Sequence, residues 1–148
     1  MLPVFLLLAA CSGKEQKQVN QISHDQLTEE TRDGMFIHLS HGEDDPHRCL
    51  MALKMAEVMS EDKDVLIYLD IKAVELVTKD APDVTHPAFS SSLEQINKLI
   101  EKGVDIQACP ACMKAAGITE NDLMPGVSVA DKEKFFNFTS GDILSLDY

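Results

Sequence analysis

The sequence predicts one α/β domain, a three-layer α/β/α sandwich with a mainly parallel sheet of about five strands. Three observations carry that prediction. The 148 residues, 45% hydrophobic and 26% charged, suffice for one core of ordinary size and leave little for a second. From Met35 onward, apolar runs of strand length alternate with stretches of helical periodicity, a rhythm that implies right-handed βαβ units. One run, Val65-Leu66-Ile67-Tyr68-Leu69, is rich in β-branched residues and almost continuously apolar, as expected of a strand covered on both faces.

The elements follow in order. Met35 to Ser40 reads as the first strand, and it stops at His41-Gly42-Glu43-Asp44-Asp45-Pro46, turn chemistry ending in a proline suited to a helix's first turn. From His47 to Met59, Leu50, Met51, Leu53, Met55 and Val58 recur at helical spacing and predict one apolar stripe. After the Val65–Leu69 strand a helix is expected over Ile71 to Thr78, then a loop from Lys79 to Ser92 containing Pro82, Pro87 and three consecutive serines. Leu93, Ile96, Leu99 and Ile100 mark a further helix, closed by Lys102-Gly103. Val104 to Ala108 is the third strand. Cys109 to Gly117 is a turn entering a short helix, with Gly117 as its stop. Val127 to Val129 reads as a weak strand, Asp131 to Asn137 as a helix, and Ile143 to Leu146 as the last strand.

The N-terminal 33 residues are organised differently. Residues Met1 to Ala10 are apolar throughout and run into Leu8-Ala9-Ala10-Cys11-Ser12-Gly13, which resembles a bacterial lipobox. That resemblance implies a signal peptide over residues 1–10, diacylglyceryl modification of Cys11, and a polar tether over residues 11–33 before the folded domain at 34–148. No Lys or Arg precedes the run, which is short for an export signal, and this leaves the true translation start open. Ser12, where Asp would suggest inner-membrane retention, resembles sorting to the periplasmic side of the outer membrane.

The formal net charge of −12 would repel a phosphate backbone, so nucleic acid is not an expected partner. The acid is spread in short mixed clusters and reads as a solvated surface rather than a substrate site.

Chemistry concentrates in Cys109-Pro110-Ala111-Cys112. A cysteine where a strand ends and a helix begins lies near unpaired backbone N–H groups, which favour thiolate over thiol. Pro110 suits the first helical position, and Cys112 follows one turn later on the same face, within reach as a resolving thiol. The alternative is an inert disulfide, although closing so small a loop restrains the unfolded chain only weakly. A thioredoxin-like domain is disfavoured because the motif follows the third strand and the chain has no Trp.

The first strand with His41-Gly42, the run Lys102-Gly103-Val104-Asp105-Ile106 leading to Cys109, then Gly117-Ile118 and Leu123-Met124-Pro125-Gly126-Val127, together resemble the DsrE/DsrF-like family over roughly Met35 to Tyr148. The resemblance implies a five-stranded sheet and assembly into dimers, trimers or hexamers. It also implies a cysteine after the third strand, matched by Cys109, that accepts sulfane sulfur as a persulfide and passes it to a sulfur- or thiol-carrying protein partner or small thiol. Cys112 departs from the commonest relay pattern and admits a dithiol/disulfide cycle.

His41 is expected beside the thiols, where an imidazole can stabilise a thiolate and shuttle its proton. An alternative, non-enzymatic reading gives Cys109, Cys112 and His41 a soft metal, zinc or copper. His38 and His47 lie near the same predicted edge, each with local hydrogen bonding or packing as its ordinary role, and His86 could cap the site from the long loop. Cys49, on the apolar helix, reads as a buried small hydrophobe.

Overall fold

The computed structural model describes residues 31–148; Cys11 and the apolar run before it lie outside the described residues. Five strands form one parallel sheet: β1 Gly34–Leu39, β2 Asp64–Leu69, β3 Asp105–Ala108, β4 Val127–Val129 and β5 Ile143–Asp147, in spatial order β4-β3-β2-β1-β5. Between them run α1 Pro46–Met59, a 3-10 segment Ala73–Val77, α2 Ser92–Glu101, α3 Pro110–Ala116 and α4 Lys132–Phe136. Among the described residues no helix is long and apolar enough to cross a membrane.

The strand order explains how the helices divide. β1 to β4 step steadily in one direction, so right-handed crossovers place α1, α2 and α3 on one face. The last crossover returns across the sheet to β5 at the other edge, which sets α4 on the opposite face. Side-chain packing agrees. Ile37, Leu39, Ile67, Leu69, Ile106 and Ala108 pack with Leu50, Leu53, Ile96, Leu99 and Met113 in one core. Phe135 of α4 instead meets Phe36 and Tyr68, with ring centroids 5.0 and 5.2 Å away. β2 is thus covered on both faces, Leu66 being fully buried on the α4 side, as its continuous apolar run predicts.

Local chemistry fixes the element ends. The Asp45 side chain accepts from Arg48 N–H and caps α1 ahead of Pro46; Ser91 caps α2 through Glu94 N–H; Gly117 ends α3 in the left-handed region at φ 74°. Two readings need correction. The segment after β2 is a 3-10 turn rather than a helix over Ile71–Thr78. Ala73, Val74, Leu76 and Val77 are all buried, so no polar face exists to support a surface helix, and Thr78 leaves as extended chain bridging Leu123. In α1 the buried stripe is Cys49, Leu50, Ala52, Leu53 and Ala56, whereas Met51 and Val58 are exposed. The small residues let the helix approach the sheet closely.

Gly126 and Gly103 both require positive φ, but a Cβ at Gly126 would meet Ile100 Cγ2 at 2.5 Å while one at Gly103 meets nothing within 4 Å. Gly103→Ala should cost about 1 kcal/mol for its backbone conformation alone. Gly126→Ala should cost more, about 2–3 kcal/mol, because Ile100, packed against the core, must also shift. Urea unfolding of the two variants checks the order.

Candidate functional site

All five strands point the same way, so their carboxyl ends form one edge of the sheet, where ligands of such folds bind. The ladder continues one rung past the strands. Asp70 N–H donates to Leu39 O (3.1 Å), Cys109 N–H to Leu69 O (2.8 Å), Ser40 N–H to Tyr148 O (2.9 Å) and Ala130 N–H to Ala108 O (2.9 Å). Cys109 is therefore held beside Asp70 by the sheet itself, and its extended backbone (φ −62°, ψ 118°) hands the chain to Pro110 as the cap of α3.

The register assembles a polar row on the α4 face just below this edge. Asp147, His38, Tyr68, Gln107 and Ser128 are successive partners across β5, β1, β2, β3 and β4, and partners in a sheet present their side chains to one face. When protonated, His38 donates from Nε2 to Asp70 Oδ2 and from Nδ1 to Asp147 Oδ1, each at 2.9 Å. Partial burial alone would lower its pKa, but the hydrogen bonds and charges of Asp70 and Asp147 prevail and raise it. Its ring lies 5.8 Å from that of Tyr68. Gln107 is fully buried, donates to Asp105 Oδ2 at 2.8 Å, and leaves its own Oε1 without a partner.

Tyr68 links this row to the cysteine pair. Burial pushes the Cys109 thiol up, yet the Tyr68 hydroxyl, the backbone N–H and thiol of Cys112, and Ala111 N–H all donate toward its sulfur, and the balance lowers the pKa. Burial and the neighbouring Cys109 sulfur push the Tyr68 hydroxyl up, so it stays a donor. Cys112 has the opposite outcome. The Ile71 N–H favours its thiolate, but sharing its proton with Cys109, burial, and the charges of Cys109 and Asp70 outweigh that and raise the pKa. One thiol is thus prepared to ionise while the other keeps its proton. Both are free thiols and half-buried. Cys112 opens onto a shallow, mainly apolar depression of about 330 Å³ bounded by Ile71, Lys72, Glu75, Ala115 and Ala116.

His41 is placed on the same edge but is engaged elsewhere: its Nδ1 donates to Asp44 Oδ2 (2.7 Å) and its Nε2 accepts from Arg48 Nη1 (3.0 Å). It makes no hydrogen bond with either cysteine. The groups facing Cys109 are Tyr68 and the first turn of α3 instead. Among the described residues no three His, Cys, Asp or Glu side chains converge as a metal site. His47 and His86 stack nearly parallel, 4.9 Å apart, with Phe89 beside them; His86 thus ties the long loop to α1 rather than covering the thiols. Cys49 is fully buried, and burial with the Asp44 and Asp45 charges lifts its thiol to about 12, which leaves it inert.

Fold and site together define a parallel α/β protein with an asymmetric pair of thiols at the carboxyl edge of its sheet. The chain belongs to the DsrE/DsrF-like family, whose model matches residues 33–140, a sulfur-transfer or redox-related family. It is 30% identical over 112 residues to the uncharacterized protein MK0008 of Methanopyrus kandleri, covering 75% of this chain and 90% of that one. The fold is shared with the YchN protein of E. coli at a TM-score of 0.59 and 18% identity, over 78% of this chain and 99% of that one. MTH1491 of Methanobacterium thermoautotrophicum also shares it, at a TM-score of 0.54 and 18% identity, over 76% and 98%.

Because His38 is more basic in the fold than in the unfolded chain, its contribution to stability is complete below the unfolded value of 6.5 and is lost as pH rises through the higher folded value. Unfolding midpoints in urea should therefore fall as pH is raised above 6.5. His38→Gln should flatten that part of the profile. An unchanged slope in the variant would mean that the carboxylate pair does not retain the proton.

Proposed function

We propose that this protein carries out thiol–disulfide exchange or sulfane-sulfur transfer through Cys109 as nucleophile and Cys112 as resolving thiol. The observation that carries the reading is the place of the free thiol Cys109 at the end of β3 and the start of α3, with the free thiol Cys112 one turn on; Tyr68, Cys112 and Ala111 N–H there favour the thiolate such reactions need. With a disulfide R–S–S–R, the Cys109 thiolate attacks one sulfur, forms the mixed disulfide and releases R–S⁻, which takes the Cys112 proton. Cys112 thiolate then attacks Cys109 and expels the second R–S⁻. Two electrons pass from the dithiol to the substrate, which leaves as one thiol and one thiolate, the latter taking its proton from water. With a persulfide R–S–SH, the first attack moves the outer sulfur to Cys109 and releases R–S⁻. That sulfur goes on to an acceptor thiolate or leaves as HS⁻ when Cys112 closes the disulfide.

The partner in this reading is a sulfur- or thiol-carrying protein or a small thiol, met by an oligomer of this chain. The lipobox-like Leu8-Ala9-Ala10-Cys11 supports export and a lipid anchor at Cys11, with Ser12 favouring the periplasmic side of an outer membrane. Intact mass of the protein isolated from native membranes should show acylated Cys11 at the new N-terminus; a mass corresponding to unprocessed Met1 would refute the anchor.

Alkylation rate against pH tests the nucleophile. Cys109 should react with a midpoint below the ordinary thiol value of about 8.5, and Tyr68→Phe should raise that midpoint by about one unit, as expected for losing one hydrogen bond to a charged group. If Cys109 titrates as an ordinary thiol, the reading fails.

A further inference from the structure

Ile71, the residue after Asp70, has φ 46° and is the one residue other than glycine with positive φ among the described residues. A β-branched side chain is particularly unsuited to this region, where Cβ crowds the backbone, and persistent strain of this kind has to be imposed by its surroundings. The surroundings here are identifiable. Asp70 N–H donates to Leu39 O, Lys72 N–H to Ser40 O (3.1 Å) and Ala73 N–H to Asp70 O (2.8 Å), so the chain is pinned on both sides of Ile71. Core packing does not demand it, since Ile71 is 62% exposed. Among the described residues no backbone carbonyl accepts from Ile71 N–H. Ile71 and Cys112 border the same depression, and the Ile71 N–H favours the Cys112 thiolate.

We propose that Ile71 is a positioning residue for the second thiol: its strained turn holds a backbone N–H at Cys112, which selects Cys112 for ionisation once Cys109 has been capped by substrate. The inference rests on the dithiol reading above and gives its two steps an order. In the resting pair Cys112 donates its S–H to the Cys109 thiolate and keeps its proton. After attack on a disulfide R–S–S–R, Cys109 is an uncharged mixed disulfide. The released R–S⁻ takes the Cys112 proton, and the negative charge passes to a sulfur that already has the Ile71 N–H facing it. Cys112 then forms its bond to Cys109 as the bond from Cys109 to the remaining R–S breaks, with that sulfur leaving as R–S⁻.

The test uses the full chain carrying Cys109→Ala, which imitates the uncharged state of the first position, and follows iodoacetamide alkylation of Cys112 by peptide mass against pH. Replacing Ile71 by its α-hydroxy acid counterpart turns one amide into an ester and removes only the N–H. The ester should move the alkylation midpoint upward and slow the reaction at pH 7 by about tenfold, the low end for a hydrogen bond to a charged group. A rate within twofold of the amide form overturns the proposal. As a second variant that folds readily, Ile71→Gly keeps the N–H and relieves the crowding. It should melt a few degrees higher with Cys112 reactivity within threefold, and a lower melting temperature refutes the imposed strain. Both readouts are made without Cys109. A tenfold ester effect beside a wild-type protein that reduces no disulfide would therefore sink the dithiol cycle and leave the Ile71 assignment standing.

Discussion

The interaction on which the site depends is the hydrogen bond from Cys109 N–H to Leu69 O, the last rung between β3 and β2. It stops the strand one residue before Pro110 and fixes the cysteine backbone as extended, so that α3 begins with its first N–H groups beside the sulfur. It also sets Cys109 level with Asp70 and above Tyr68. A slip of one residue in that register would turn Cys109 to the opposite face of the sheet, into the apolar core under α1 and α2. The apolar pattern of β2 and β3 that prevents such a slip is thus what places the chemistry.

The two faces of the sheet have divided tasks because of the strand order. Three crossovers build one thick apolar layer and leave the other face to a single short helix. On that thinly covered side the interior positions of the strands can be His38, Tyr68 and Gln107, residues that would be costly in the main core without partners. Each has at least one: a carboxylate pair for His38, the Cys109 sulfur for Tyr68, Asp105 for Gln107. Desolvation there is partial, enough to strengthen hydrogen bonds yet open enough to leave both thiols reachable.

Much of the architecture was legible because it is encoded locally. Pro46 and Pro110 at helix starts, Gly117 as a left-handed stop, and the continuous run of β2 each state a conformation through a single residue's sterics or a short pattern. The Cys109-x-x-Cys112 pair was visible for the same reason. His38 was legible near the same edge, but Tyr68 and Asp70 were not, because only the strand order and register bring them there, and Tyr68 reads as one more large residue of an apolar strand. His41 was adjacent to the right edge, but Asp44 and Arg48, three and seven residues further on, engage both its ring nitrogens. That spacing was available in the sequence as a signal. Nothing local announces Ile71, since its backbone conformation is imposed by bonds that Leu39 and Ser40 accept from its neighbours.

The clamp between His38 and Asp147 joins residues 109 apart in the chain, the first strand to the last. Closing so long a loop carries an entropic cost that only the complete β1–β5 ladder offsets. A chain still emerging, or one shortened before β5, would have Asp70 but not Asp147 at its histidine. The charge setting of His38 is therefore a property of the finished molecule, complete only once the last strand has joined the sheet.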